Sequence, residues 1–277
     1  MFVLAVDTST PRVTAGVVRV EGPAVTELSV AGHVDARAHN EVLTPLIPES
    51  LGAAGISRAD VSAVVAGCGP GPFTGLRVGM ATAASFGDAW QVPVHGLCSL
   101  DALAHPGGEP MAGDVLAVTD ARRREVYAAA YRDGGRVWGP AVLKAADVAA
   151  AVIEAVSDFE FTALVGDEAK CGDVVAGLAE AGGDAPEIIA AYPSPAGLVA
   201  GAVADLADGR DADERDSAVD PAALLAAPAE PLVALYLRRP DATPPKDKPK
   251  SPAIPDVDVG KLTGDGGTAP ATDGGGA

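Results

Sequence analysis

The sequence contains few cysteines, few aromatic residues and no long uncharged apolar run. Its three cysteines, Cys68, Cys98 and Cys171, lie far apart and form no C-x-x-C pair, which argues against a disulfide framework and fits a reducing compartment. The first residues lack a basic region and reach Asp7 after five apolar residues, so they predict a β-strand rather than a signal peptide. No apolar run approaches the ~20 residues of a membrane span. We therefore expect a cytoplasmic protein that does not bind membranes.

Basic residues are also scarce. The chain has 20 lysines and arginines against 38 acidic residues, and its formal net charge is −18. Residues 240–277 contribute −2 (four Lys minus six Asp), which leaves −16 on residues 1–239. A body this acidic repels phosphate backbones at long range. The charge argues against a protein that binds nucleic acid alone, although it allows membership of a complex whose other subunits hold the nucleic acid.

Several sequence motifs of known chemistry are missing. The chain has no H-E-x-x-H, no His-x-x-x-His and no G-x-S-x-G, which are the patterns of zinc peptidases, of helical metal sites and of serine hydrolases. The acidic stretch 205–220 carries seven carboxylates and two arginines. We interpret it as a solvated loop, because its alternating Ala, Arg and Gly give no fixed convergence of ligands. The sequence therefore predicts neither a metal site nor a catalytic residue in this chain.

A loop rich in glycine and proline, residues 67–79, is the most informative feature that is present. It follows the apolar run 61–66, and its last part, from residue 74, is the start of a predicted helix over residues 74–90. Such a turn has many free backbone N–H groups and few side chains, so it either cradles an anion or lets another chain approach closely. It is not a P-loop, because Leu76 and Arg77 stand where a Lys and a Ser or Thr are required, and it is not a dinucleotide fingerprint.

Two parts of the sequence repeat the same plan. Val-Leu-Ala-Val stands at residues 3–6 and again at 115–118, and in each place an acidic residue, Asp7 or Asp120, enters a polar turn before a returning strand. The repetition predicts two duplicated lobes. After the 74–90 helix, the apolar segment 92–97 predicts a parallel strand through a β-α-β crossover.

The remaining pattern predicts further elements and three parts of the chain. A first helix starts near Asn40, with a kink or a late start because of Pro45 and Pro48. Residues 240–277, with seven prolines, seven glycines and no aromatic residue, predict a disordered tail. We expect an N-terminal lobe over 1–104 and a C-terminal lobe over 105–239, whose last helix can pack back on the N-terminal lobe. Within the C-terminal lobe, we expect helices at 145–156, 168–181 and 195–207, and strands at 162–165 and near 188–189.

Five segments in order along residues 2–238 resemble the bacterial TsaB family, also called YeaZ. The resemblance implies an α/β fold of the actin/sugar-kinase/Hsp70-like type, with mixed sheets flanked by helices in both lobes. It also implies a role in forming N6-threonylcarbamoyladenosine at position 37 of tRNAs that read codons beginning with A. The segments that carry it are residues 4–10, 39–43, 69–79, 120–127 and 236–238.

The same resemblance implies which partners the chain has. In that family the TsaB member is a scaffold for TsaD, which carries the metal and the transfer chemistry, and the ATPase TsaE joins the complex. We therefore expect no cofactor in this chain, ATP or ADP and metal in the partner subunits, and tRNA contact only through the complex. Whether the chain alone is a homodimer or a monomer stays open at this point. Catalysis is expected in TsaD and not in this chain.

Two sets of residues are predicted to carry this function. Small residues spaced by four on the 74–90 helix allow close approach of a partner helix, and apolar neighbours supply contact. The alternative is that this stripe packs inside its own lobe. The two hairpin turns and the glycine-rich loop are predicted to contact a nucleotide or the subunit junction. The predicted partner interface is Leu43, Ile47, Gly75, Leu76, Gly79, Met80 and Ala83, and the predicted junction contacts are Asp7, Thr8, Ser9, Gly69, Gly71, Asp120 and Arg122.

Three functions remain open at this point. The first is the non-catalytic subunit. The second is a stand-alone small-molecule kinase or ATPase of the same fold that uses Asp7, Asp120 and the loop over residues 67–79. In such enzymes the acidic residues of the two hairpins hold Mg²⁺. Thr8–Pro11 in the first turn and three arginines in the second depart from phosphate-binding members. An equal alternative is that both aspartates only cap their own turns. The third function is a peptidase, for which the sequence shows no nucleophile or metal constellation.

Overall fold

The structure is a computed structural model, and it describes residues 1–34, 39–180, 185–209 and 220–238. The predicted tail at 240–277 lies outside the described residues, and so does most of the acidic stretch, from 210 to 219. Along the described ranges, no helix has both the length and the apolar character needed to cross a bilayer.

The first lobe is built on a five-stranded mixed sheet. Three antiparallel strands form one side, and two strands join in parallel next to β1, so that the order is β3-β2-β1-β4-β5. The parallel pairing of β4 and β5 through a helix confirms the predicted β-α-β crossover. The elements are β1 (Phe2–Asp7), β2 (Arg12–Glu21), β3 (Ala24–Val34), α1 (His39–Ala53), β4 (Val61–Gly67), α2 (Phe73–Trp90) and β5 (Val94–Leu97).

The second lobe repeats this arrangement strand for strand. Its order is β10-β9-β6-β7-β8, in which β6, β7 and β8 are antiparallel and β9 and β10 are parallel additions. The predicted duplication is therefore confirmed. The elements are β6 (Asp114–Asp120), β7 (Glu125–Arg132), β8 (Gly135–Lys144), α3 (Ala145–Ala155), β9 (Ala163–Gly166), α4 (Glu168–Glu180) and β10 (Glu187–Ala190), followed by α5 (Pro195–Asp208) and α6 (Pro221–Ala226).

Helices cover both faces of the first sheet. Leu43 and Ile47 of α1 pack with Ala83 of α2 on one face, and Leu198 and Val199 of α5 pack on the other. Strands β1 and β4 are apolar on both faces because both faces are buried. The last long helix thus lies on the first lobe's sheet.

Two expectations differ from the structure. Helix α1 begins at His39 and contains both Pro45 and Pro48, so of the two predicted alternatives, a kink or a late start, the late start is wrong. Burial of Leu43 and Ile47 in the core outweighs the local cost of the missing N–H groups. Strands β3 and β8 were not predicted, because both are edge strands with many exposed residues and therefore have no clear apolar alternation.

The C-terminal segment 231–238 links the two lobes without forming a helix or strand. The N–H of Leu235 donates to the carbonyl of Cys68 in the first lobe, at 2.9 Å. The guanidinium of Arg238 donates to the carbonyl of Ala121 in the second lobe, at 2.7 Å, and forms an ion pair with Glu125 at 2.8 Å. This segment therefore joins the glycine-rich loop of one lobe to the hairpin turn of the other.

Candidate functional site

A small cleft lies where both lobes present the carboxyl ends of their strands. The turn after β1 supplies one wall, and the last residues of β6 together with the residues that follow β9 and β10 supply the others. Open α/β sheets bind their ligands outside the carboxyl ends of the strands, so this cleft is the first place to look for a site. It is lined by Ser9, Thr10, Pro11, Thr119, Asp120, Asp167, Ala191 and Tyr192.

Asp7 lies behind this cleft and is fully engaged by its own lobe. The side chain is 1% exposed. Its Oδ1 accepts from the N–H of Ser9 at 2.9 Å and from the Ser9 hydroxyl at 2.7 Å, and its Oδ2 accepts from the Ser99 hydroxyl at 2.6 Å. Asp7 therefore caps its own turn, which is one of the two roles that the sequence left open. Ser99 also accepts from the N–H of Gly69 at 3.2 Å. Asp7 and Ser99 therefore connect the first hairpin turn, the loop after β5 and the glycine-rich loop by hydrogen bonds.

Asp120 caps the second turn in the same way. Its Oδ1 accepts from the N–H of Arg122 at 2.9 Å, and its Oδ2 lies 3.7 Å from the Arg122 Nε. Arg122, Arg123 and Arg124 all have positive φ, at 65°, 52° and 66°, and all three are exposed. Non-glycine residues adopt this region at an energetic cost, and the hydrogen bond that the N–H of Arg122 donates to Asp120 helps to stabilise the turn.

The first hairpin turn packs against the glycine-rich loop and fills the space beside its glycines. A Cβ at Gly67 would overlap the carboxylate of Asp7, one at Gly71 would overlap the carbonyl of Ser9, and one at Gly79 would overlap the hydroxyl of Thr8. The Thr8 hydroxyl in turn donates to the carbonyl of Gly75 at 2.7 Å. Of the two roles that the sequence left open, the geometry favours close approach of another chain segment, and that segment belongs to the same lobe.

The predicted junction residues thus fall into three places. Ser9 and Asp120 line the cleft together. Asp7 and Thr8 are buried behind it. The buried Gly69 and Gly71 belong to the loop that packs on the first turn, whereas Arg122 is exposed on the second hairpin.

Most of the predicted partner interface is buried inside the first lobe, which is a correction. Only Met80 is partly exposed. The small stripe on α2 faces Thr8 and the core, because these residues let α2 pack closely on its own hairpin. Their side chains are therefore not available to a partner in this structure. The six buried residues are Leu43, Ile47, Gly75, Leu76, Gly79 and Ala83.

The neighbouring face of α2 carries an exposed aromatic cluster. Phe73 is 44% exposed and Tyr236 is 42% exposed, and their ring centroids lie 5.0 Å apart. The Arg77 guanidinium lies 4.0 Å from the centre of the Phe73 ring, and its Nε donates to the Tyr236 hydroxyl at 3.2 Å. Residues 73, 77 and 80 share one helix face, so Met80 belongs to this exposed stripe.

The three cysteines and the buried histidines His95 and His105 do not have the surroundings of peptidase catalytic residues. Desolvation by burial raises the pKa of Cys68 to about 11 and that of Cys98 and Cys171 to about 12, so the thiols stay protonated and unreactive at neutral pH. The imidazoles of His95 and His105 bond to backbone carbonyls at 2.9 Å each. Within the described ranges, no group of three or more His, Cys, Asp or Glu side chains is placed to hold a metal ion.

Three cleft or loop residues escaped the sequence analysis. Asp167 follows the carboxyl end of β9, lines the cleft and accepts from the N–H of Lys170 at 3.0 Å. Tyr192 follows β10, and Ser99 follows β5. Their place just after parallel strands is a signal that could have identified them.

Comparison with known proteins places this chain among TsaB-like proteins. The family model for TsaD, tRNA N6-adenosine threonylcarbamoyltransferase, matches residues 30–172. An uncharacterized protein of Mycobacterium tuberculosis (strain H37Rv) is 47% identical over 249 residues, which cover 87% of this chain and 94% of that protein. The tRNA threonylcarbamoyladenosine biosynthesis protein TsaB of Escherichia coli K12 is 32% identical over 142 residues, which cover 50% of this chain and 58% of TsaB.

The chain spans little more than half the length of one mycobacterial relative. An uncharacterized Mycobacterium leprae protein is 45% identical over 244 residues, which cover 88% of this chain but 56% of that protein. The shared region is therefore one part of that longer polypeptide.

Solved structures support the same assignment. A Pseudomonas aeruginosa protein described as similar to peptidase YeaZ superposes with a TM-score of 0.60 at 26% identity, covering 86% of this chain and 99% of that chain. YeaZ from the same organism gives a TM-score of 0.57 at 26% identity, with 82% and 98% covered. The two duplicated mixed sheets and these neighbours confirm the predicted actin/sugar-kinase/Hsp70-like fold. The chain belongs to the family described by the TsaD model and is a TsaB (YeaZ)-like member of it.

Proposed function

We propose that this chain is the accessory subunit of a threonylcarbamoyltransferase complex, acting in the cytoplasm. It binds and activates a TsaD subunit, which forms N6-threonylcarbamoyladenosine at A37 of tRNAs that read ANN codons, and a TsaE subunit joins them. The observation that carries the proposal is the likeness to a TsaB protein in sequence and to YeaZ across 82% of the chain in structure. The tRNA is held by the complex, since the −16 charge of residues 1–239 opposes direct contact.

The first hairpin turn offers few free ligands to a magnesium–phosphate group, which supports a non-catalytic role. Both oxygens of Asp7 accept hydrogen bonds from serines of the same lobe. The N–H of Ser9 and the hydroxyl of Thr8 point to Asp7 and Gly75 rather than into the cleft. A phosphate would need these donors, and a metal would need a free carboxylate oxygen. We propose that nucleotide and metal bind in the partner subunits.

We propose the exposed stripe of α2 as the partner surface in place of the buried small residues. Phe73, Arg77 and Met80 share one face, and Tyr236 extends it. Aromatic and arginine side chains at the centre of an interface contribute most of its binding free energy. The same stripe would pair two copies of the chain when TsaD is absent.

A variant pair tests this surface. Met80→Glu places a charge on the stripe and is expected to weaken binding to TsaD at least about tenfold, by titration calorimetry. The control is Ile153→Glu, which makes the same kind of change on α3 of the other lobe, where Ile153 is 46% exposed. Equal loss in both variants, or unfolding of Met80→Glu by circular dichroism, would contradict the assignment of the surface.

Binding experiments separate the subunit from a stand-alone kinase or ATPase of the same fold. Calorimetry of the purified chain with TsaD should give saturable heat, whereas Mg-ATP alone should give none. Tight Mg-ATP binding with turnover by the isolated chain would favour the kinase. Absence of TsaD binding under conditions in which both proteins are folded would contradict the proposed function.

A further inference from the structure

Three of the five segments that resemble the TsaB family meet at the C-terminal segment 231–238, which we call the strap. Its residues Tyr236 and Arg238 belong to the last of those segments. The Tyr236 side chain contacts the start of α2, and the Arg238 side chain contacts the turn between β6 and β7. The proposed partner surface includes the Tyr236 ring, but it assigns no role to the other contacts of the strap.

The first lobe holds the strap through a backbone hydrogen bond, a leucine and an aromatic contact. The N–H of Leu235 donates to the carbonyl of Cys68 at 2.9 Å, and the side chain of Leu232 packs against the core of this lobe. The ring of Tyr236 lies 5.0 Å from that of Phe73, measured between centroids. The contacts of the strap with the first lobe therefore include part of the surface that we propose for the partner.

Arg238 holds the other end of the strap on the second lobe. Its Nη1 donates to the carbonyl of Ala121 at 2.7 Å, and its Nη2 lies 2.8 Å from Oε2 of Glu125. Both charged side chains are about two-thirds buried, and charge-assisted hydrogen bonds are stronger where water is partly excluded. Leu237 adds apolar contact with the core of this lobe. The turn that Arg238 contacts begins at Asp120, which lines the inter-lobe cleft.

The strap belongs to neither sheet and to no helix. Its local backbone hydrogen bonds join residues two apart: the N–H of Tyr236 donates to the carbonyl of Ala234 at 3.0 Å, and that of Leu237 to the carbonyl of Leu235 at 3.1 Å. Within the described ranges, a single backbone-to-backbone hydrogen bond, from Leu235, joins the strap to the rest of the chain. Segments with few such bonds open at a lower free energy than the core, so the strap can leave the body while both sheets stay folded.

The contacts with the two lobes are linked because they lie on one short piece of chain. Tyr236 and Arg238 are separated by one residue, which is at most about 7 Å of chain. We propose that the strap docks and releases as one unit, and that a partner seated on Phe73 and Tyr236 stabilises its docked state and thereby the β6–β7 turn beside the cleft. The inference rests on the proposed function for the identity of that partner. A ligand that favours one of two states favours every contact made in that state.

Amide hydrogen exchange of the full chain, measured residue by residue by NMR, tests the strap without a partner. The N–H of Leu235 should exchange faster than that of Val64, which donates to Pro93 in the buried first sheet, because the strap opens without global unfolding. Glu125→Gln weakens the contact with the other lobe and should speed Leu235 exchange about threefold or more. The control Glu154→Gln removes an exposed carboxylate from α3 and should change the rate less than about 1.5-fold. Equal rates for Leu235 and Val64 in the wild type, or a Leu235 rate unchanged in Glu125→Gln, would overturn the strap.

Addition of saturating TsaD tests the coupling to the partner surface. Exchange of the Leu235 N–H should slow at least about fivefold. Exchange of the Glu125 N–H, which donates to the carbonyl of Arg122 in the β6–β7 turn at 2.9 Å, should slow in the wild type and not in Arg238→Ala, at a temperature at which both are folded. Slowing that persists in Arg238→Ala, or no slowing in the wild type with TsaD bound, would overturn the coupling.

The two parts of the experiment separate this inference from the proposed function. Absence of TsaD binding to the wild type would contradict the proposed function and with it the coupling. The exchange rates of the isolated chain would still decide whether the strap docks and releases as one unit.

Discussion

Replacement of Asp7 distinguishes a structural aspartate from a catalytic one. In Asp7→Ala, the N–H and hydroxyl of Ser9 and the hydroxyl of Ser99 lose their acceptor. Ser9 is 5% exposed and Ser99 is 1% exposed, so water does not readily replace the carboxylate. Hydrogen bonds to charged groups contribute about 1.5–3 kcal/mol each, and an orphaned buried donor costs about 1–3 kcal/mol. Because these contributions overlap, we expect the free energy of unfolding to fall by about 3–5 kcal/mol.

Asp120→Ala is the matched comparison. Its side chain is 22% exposed and accepts one backbone hydrogen bond, from Arg122, so the expected loss is at most about 1 kcal/mol. Urea denaturation monitored by circular dichroism measures both losses.

The activity of the two variants then decides the role of the aspartates. Each variant is added to TsaD, TsaE, threonylcarbamoyl-AMP and tRNA at a temperature at which it is fully folded, and the modified nucleoside is measured by mass spectrometry. Both variants should support product formation, with any deficit following loss of fold or of TsaD binding. A folded Asp7→Ala chain that binds TsaD normally and yields no product would refute the structural assignment.

Three further predictions concern stability. Asp114→Asn should lower the free energy of unfolding by about 1–3 kcal/mol at neutral pH. Hydrogen bonds from Arg132 lower the pKa of Asp114, so the stabilisation by Asp114 is present above about pH 4 and is lost as pH falls through the folded pKa. The urea denaturation curves of the variant and the wild type should therefore converge in acid. Gly79→Ala should lower Tm, because its Cβ would overlap a side chain, whereas Gly172→Ala, which has open space, should raise stability by up to about 1 kcal/mol. A chain ending at Arg239 should keep its Tm and TsaD binding; a drop of several degrees would show that the removed residues are packed.

The fold could be predicted because its signals are local. The repeated Val-Leu-Ala-Val at residues 3–6 and 115–118 specifies a buried strand in both lobes, and the Gly/Pro-rich loop marks the change from β4 to α2. The edge strands β3 and β8 were missed, since half-exposed strands have weak periodicity.

The candidate site was harder to predict because it depends on long-range packing. A stripe of small residues at Gly75, Gly79 and Ala83 indicates close approach, but the sequence does not say of which neighbour. The neighbour is Thr8, 67 residues away from the Gly75 carbonyl to which it donates. Likewise, the partners of Asp7 include Ser99, 92 residues away. Turn capping within two residues, as at Asp120, is local and was anticipated.

The most direct test of the central claim is a reconstitution in which each protein is left out in turn. This chain, TsaD and TsaE are mixed with threonylcarbamoyl-AMP and tRNA, and N6-threonylcarbamoyladenosine is measured by mass spectrometry. The account predicts product in the complete mixture, none from this chain alone, and none or a trace when this chain is omitted. Product formed by this chain without TsaD, or full activity without this chain, would contradict it.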